Sequence, residues 1–94
     1  MQYCIYILLS SKDHRTYIGH TDNLNRRLYE HSVGQVEATK HRRPLQLLYA
    51  EKCSDIIEAK RREEYWKSGG GRRKLKSYFK NGFPPIKDGR GSPK

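Results

Sequence analysis

From Tyr3 to Leu9 both alternating sets of positions are apolar. Tyr3, Ile5, Ile7 and Leu9 fall on one face, and Cys4, Tyr6 and Leu8 on the other. A strand with two apolar faces is one covered on both sides. A polar stretch, Ser10 to Arg15, follows as a hairpin turn, and Thr16 to Gly19 forms a second strand. Thr21, Asp22 and Asn23 are all suitable N-caps for a helix running to about His31. Within it Leu24, Leu28 and His31 share a face with Arg27 beside them, while Arg26 turns to solvent. Residues 32–43 are irregular, and residues 45–53 read as a third strand. Ser54 or Asp55 caps a long helix, with Asp55 and Glu58 spaced as a capping box. The run Gly69-Gly70-Gly71 predicts its stop. A short basic helix over 72–80 follows, with Leu75, Tyr78 and Phe79 available for docking.

The element order is β-β-α-β-α-α. It predicts an α+β fold, a small three-stranded sheet covered by helices. Residues 1–80 form the expected domain, and residues 81–94, rich in Pro, Gly and charge, are expected to be a flexible basic tail. A chain of 94 residues with 34% hydrophobic content has room for one core. No apolar run is long enough to span a membrane and no signal-peptide flanks are present, so a cytoplasmic location is expected. Cys4 and Cys53 sit in predicted strands and read as small core residues.

Charge changes the picture. Net charge is +10, and most of it lies late: residues 1–57 carry +2 and residues 58–94 carry +8. Such a surface attracts polyanions, nucleic acid first. Lys40, Arg42, Arg43, Arg72, Arg73, Lys74 and Lys76 are the candidates for phosphate-backbone contact, which gives affinity without sequence preference. His14, His20 and His41 read as surface residues or phosphate contacts, and Trp66 as core.

The candidate chemistry lies in three places. Tyr6 and Tyr17 put two phenols side by side, and Arg27 adds a planar guanidinium suited to phosphate. His31, one turn after Arg27, has an ordinary pKa well placed for a base. Glu63 is out of place: it lies inside the stripe of Ile56, Ala59 and Trp66, where a carboxylate is costly unless paired. Two readings of Glu63 stay open, a buried or rim salt bridge and a metal ligand for Mg²⁺ or Mn²⁺.

Taken together, Cys4-Ile5-Tyr6, Tyr17-Ile18-Gly19, Arg27 and Glu63 resemble the signature of the GIY-YIG nuclease superfamily, most closely its small stand-alone bacterial, UvrC-like members. The likeness spans roughly residues 1–80. It implies that Tyr6 and Tyr17 orient or activate water and contact phosphate. It also implies that Arg27 stabilises charge on the scissile phosphate and that Glu63 anchors a single divalent metal. His31 matches a histidine that some members carry and is a candidate base. The base role is divided between Tyr17 and His31, with Tyr17 favoured on family grounds. The implied activity is metal-dependent DNA endonuclease, in DNA repair or recombination; the alternative is a non-catalytic nucleic-acid-binding module that keeps the fold. Cys4 stands where the motif has glycine. Asn81, the one asparagine after Glu63, receives no role.

Overall fold

A computed structural model describes residues 2–86; Met1 and residues 87–94 lie outside it. The chain runs β1 (Tyr3–Ser10), β2 (Thr16–Thr21), α1 (Leu24–Ser32), β3 (Leu45–Cys53), α2 (Ile56–Lys67) and α3 (Gly69–Asn81). The strands form one antiparallel sheet in the order β2-β1-β3. β1 is central, and helices cover both of its apolar faces. On one face Ile5 and Ile7 meet Ala59 and Trp66 of α2 and Leu75 of α3. On the other, Cys4, Tyr6 and Leu8 meet Leu24 and Leu28 of α1. Both cysteines are buried. Among the described residues no helix is long and apolar enough to cross a membrane.

Local signals set the helix starts. The Asn23 side chain accepts from the Arg26 amide at 3.0 Å, and Asp55 accepts from the Glu58 amide at 2.8 Å. The Glu58 carboxylate accepts in turn from the Ser54 amide at 2.6 Å. These bonds satisfy amides that the first turn leaves without partners.

The glycine run departs from expectation. It does not stop α2; it is the first turn of α3. Ser68, with extended backbone (φ −81°, ψ 174°), both ends α2 and caps α3. The reason is a close crossing. A Cβ on Gly71 would overlap the Tyr65 carbonyl oxygen and lie 2.5 Å from Trp66 Cα. Leu75 and Tyr78 then dock on the core, but Phe79 stays 49% exposed.

Residues 82–86 also differ from an open tail. Phe83 meets Tyr78 and Phe79 with ring centroids 5.5 and 5.1 Å away, and Ile86 packs at the edge of the α1-side core. The rest of the expected tail, 87–94, lies outside the described residues.

Candidate active site

The sheet register places the phenols. Tyr6 stands opposite Gly19, and Leu8 opposite Tyr17. Tyr6 and Tyr17 therefore share the α1 face as diagonal neighbours, with ring centroids 6.3 Å apart. Gly19 is what admits the Tyr6 ring: a Cβ there would lie 2.7 Å from Tyr6 Oη and 3.2 Å from Tyr17 Cε2. The Tyr6 ring is 1% exposed and cannot swing aside into solvent. Gly19→Ala is therefore expected to cost about 1–3 kcal/mol through overpacking. A urea midpoint equal to wild type would show instead that the ring yields freely.

Helix α1 brings the cationic and basic groups to that face. His31, 1% exposed, has Nε2 2.9 Å from Tyr6 Oη and Nδ1 2.7 Å from Thr39 Oγ1. Its ring stands edge-on to both tyrosines, at centroid distances of 5.5 and 5.3 Å. Arg27 donates from Nε to Tyr6 Oη at 3.4 Å and from Nη1 to Glu30 at 3.0 Å. Thr39 is fully buried in the segment linking α1 to β3.

Burial pushes the Tyr6 phenol up to about 12, against the lowering effect of the Arg27 hydrogen bond; the nearby Tyr17 and Glu63 add to the rise. Tyr6 is thus a neutral phenol at neutral pH. Burial, then the Arg27 charge, pushes His31 down from 6.5 to about 4. The linkage sign follows. Between these values the unfolded chain takes up a proton that the folded chain refuses, so stability falls as pH drops from 6.5 towards 4 and is full above that window. At about 1.4 kcal/mol per unit, the loss from 6.5 to about 4 is roughly 3 kcal/mol. Melting temperature against pH should fall across that range in wild type and flatten in His31→Phe. Equal slopes in the two proteins would remove His31 as the cause.

Glu63 comes from the opposite face. Its side chain is 19% exposed, with Oε1 2.5 Å from His20 Nδ1 and Oε2 2.6 Å from Lys67 Nζ. Burial alone would raise its pKa, but the His20 and Lys67 contacts outweigh it and hold the carboxyl below its ordinary value. His20 is therefore not a plain surface residue; it is the side chain through which β2 holds Glu63.

The two faces converge on the β2 edge. Three adjoining hollows run along it. One of about 530 Å³ includes Tyr17 and Lys67 in its wall. The next, about 330 Å³, shares Lys67 and adds Glu63 and His20. The third, about 210 Å³, shares His20 and adds Arg27. Tyr17, Glu63 and Arg27 thus open onto one continuous edge, while Tyr6 and His31 lie buried behind it.

The basic candidates divide. Arg42 pairs with Asp13 at 2.8 Å, and its carbonyl accepts from Ser10 Oγ at 2.6 Å. That guanidinium holds the Asp13 carboxyl down at about 2. Arg43 lies over Gly34, which has a positive φ of 82°, and donates from Nε to the Lys40 carbonyl at 3.0 Å. Lys40 pairs with Glu37 at 3.3 Å. These three residues brace the 33–44 segment. Arg72 and Lys76 face the Tyr17 hollow, while Arg73 and Lys74 are exposed on α3. Asn81 donates to Ser77 Oγ at 3.3 Å, within α3 and with no link to the edge.

A family model described as the GIY-YIG catalytic domain matches residues 2–79. The chain belongs to the GIY-YIG family. Its relatives include a UPF0213 protein of Lactiplantibacillus plantarum, 40% identical over 80% of this chain and 76% of that one. A UPF0213 protein of Staphylococcus haemolyticus is 40% identical over 77% of this chain and 88% of that one. Among solved structures, the solution structure of the UPF0213 protein BH0048 from Bacillus halodurans superposes with a TM-score of 0.54. It is 29% identical and covers 89% of both chains. GIY-YIG membership points to a nuclease superfamily and, at that level, to nucleic acid as the substrate class.

Cys4, in the GIY-YIG glycine position, is buried among apolar side chains. Three partners lie beyond the motif: His20, Thr39 and Lys67. Lys67 had a local signal, its i,i+4 spacing from Glu63. His20 and Thr39 had none, because their partners are 43 and 8 residues away outside any shared element.

Proposed function

We propose that this GIY-YIG protein is an endonuclease that hydrolyses DNA phosphodiester bonds with one Mg²⁺ or Mn²⁺ at Glu63, in DNA repair or recombination. The observation that carries this reading is the shared β2 edge. A phenol, a guanidinium and an ionised carboxylate, from two faces of the sheet, open onto it together.

Glu63 fits a hard cation in charge and donor type, since it is an ionised oxygen donor at a solvent-reachable hollow. Lys67, 54% exposed, pairs with the same carboxylate and would have to yield to a cation held there. Among the described residues there is no group of three or more His, Cys, Asp or Glu side chains arranged for a metal. The cation would therefore rest on one carboxylate, with waters and phosphate oxygens completing its shell. Bound there, it would supply charge stabilisation for the phosphate and for the leaving oxygen.

The chain's own groups divide the remaining work. Arg27 presents its guanidinium to a phosphate oxygen, held in place by Tyr6 and Glu30. Tyr17, partly exposed, is the phenol that can touch the attacking water. His31 has both nitrogens engaged, by Tyr6 and Thr39, and both partners are as buried as it is, so it has no direct contact with solvent. It keeps Tyr6, and through Tyr6 Arg27, in position. The water-contacting role therefore goes to Tyr17.

One observation favours a second reading. Both Glu63 oxygens already have partners, as in a plain salt bridge, which suits a DNA-binding module without catalysis. Plasmid nicking with Mg²⁺ or Mn²⁺ and with chelator separates the two, alongside melting with and without Mn²⁺. The hydrolase reading expects cleavage only with metal, and a melting temperature that rises with Mn²⁺ in wild type but not in Glu63→Ala. DNA binding with no cleavage under any metal would establish the binding module.

A further inference from the structure

The hollow beside Tyr17 has a composition that the cleavage chemistry does not use. Its cations are Arg15 from the β1–β2 turn, Lys67 from the end of α2, and Arg72 and Lys76 from α3. No acidic side chain is among its described lining residues. Its apolar lining comes from Ile18, Trp66, Leu75 and Phe79, with Tyr17 also in the wall. Arg72, Lys76 and Phe79 follow one another at i, i+4 and i+7, so they line one face of α3. Phe79 is 49% exposed, yet Phe83 braces it edge to face at 5.1 Å and 87°. Phe79 is thus a half-exposed aromatic ring, held in orientation by Phe83, among cations and outside the buried core cluster.

We infer that this groove seats an unpaired DNA strand next to the site, with Phe79 as the surface on which a base stacks. The inference rests on the nuclease reading for its substrate and adds which form of that substrate is favoured. The chemistry selects single strand over duplex. A duplex turns phosphates outward and keeps its base faces stacked on one another, so it engages the cations but leaves Phe79 uncovered. An unpaired strand offers phosphates and open base faces together, and base–aromatic stacking tolerates any base. Continuity along the edge joins this groove to Glu63 through Lys67. DNA held here would thus lead its backbone into the cleavage edge.

The test uses the full chain in chelator, so that binding is read without cleavage. A fluorescent oligothymidine, a hairpin duplex, and a single strand carrying 2-aminopurine are titrated by anisotropy and quenching. Wild type is expected to prefer single strand to duplex and to quench 2-aminopurine. Phe79→Ala should weaken single-strand binding roughly 5- to 150-fold, the range for losing one stacked base, and leave duplex binding within about twofold. Phe79→Trp should restore both affinity and quenching, which a merely structural role for Phe79 would not predict. Lys76→Gln should lower the salt slope for both probes by about one phosphate contact. The inference is overturned if Phe79→Ala, still folded by melting, binds single strand as wild type does, or loses both probes equally. The outcomes also separate from the nuclease reading. A protein that stacks bases through Phe79 but never cuts keeps the groove and loses the hydrolase. One that cuts with no Phe79 effect keeps the hydrolase and loses the groove.

Discussion

Glu63→Ala is expected to bring metal-dependent DNA cleavage down by on the order of 10³-fold while DNA binding stays intact or strengthens. The magnitude is that of removing a preorganised electrostatic group from a phosphate or acyl site. The sign on binding follows from the neighbours. Removing the carboxylate leaves Lys67 without its partner at 2.6 Å and His20 without its partner at 2.5 Å, so the edge becomes more positive towards a polyanion. Glu63→Gln sharpens the result. It keeps the shape and an acceptor for His20 but drops the charge, so it should cut as poorly as Glu63→Ala if the charge matters. If Glu63 only braces β2 against α2, Glu63→Gln should cut normally. Nicking rate and anisotropy on the same preparations decide it, and wild-type cleavage by Glu63→Ala would end the metal assignment.

Most of the architecture was legible because it rests on short-range patterns. The doubly apolar run of β1 follows from its cover on both faces, by α1 on one and by α2 and α3 on the other. The caps at Asn23 and Asp55 are local hydrogen bonds between side chains and amides three residues on. Arg27 and His31 lie one turn apart, so their common side of α1 could be read from spacing alone. Glu63 was visible as a carboxylate in an apolar stripe, but its partner was not. The His20–Glu63 contact joins residues 43 apart on different elements, and no periodicity encodes it.

The basic loop shows a different limit. Lys40, Arg42 and Arg43 read in sequence as candidates for phosphate-backbone contact, and their partners within the chain could not be read there. In the structure Arg42 ties the 33–44 segment to Asp13, and Arg43 folds back over Gly34. A run of like charges says nothing about where nearby carboxylates and carbonyls fall. The division of labour between phenols was hidden for a similar reason. Tyr6 and Tyr17 lie in matching motifs, but a central strand buries the first and an edge strand leaves the second open. That difference in exposure, rather than residue type, separates the buried phenol from the one open to solvent.

The three glycines of the first turn of α3 should respond to alanine with opposite signs. Gly71→Ala is expected to destabilise the protein by several kcal/mol, in the upper range of core overpacking. The new Cβ would overlap the Tyr65 carbonyl oxygen and sit 2.5 Å from Trp66 Cα, and these are backbone atoms that cannot rotate away. Relief requires α3 to lift from α2. That would pull Leu75 off the core and shift Arg72 and Lys76 away from Tyr17. Gly69 and Gly70 are different. A Cβ at Gly69 would lie 3.6 Å from Arg73 Nη1, and one at Gly70 would lie 3.7 Å from Tyr65 Cε1, both ordinary contacts. Neither has positive φ, since among the described glycines only Gly34 and Gly82 do. Alanine at either position should stabilise by about 0.4–1 kcal/mol, because the unfolded chain loses freedom and the helix gains propensity. Urea midpoints for the three variants test this directly. Equal and small effects at all three would mean that α2 and α3 do not cross as closely as the structure shows. A large loss at Gly71 alone would establish the glycine run as the corner that fixes α3 against the β2 edge.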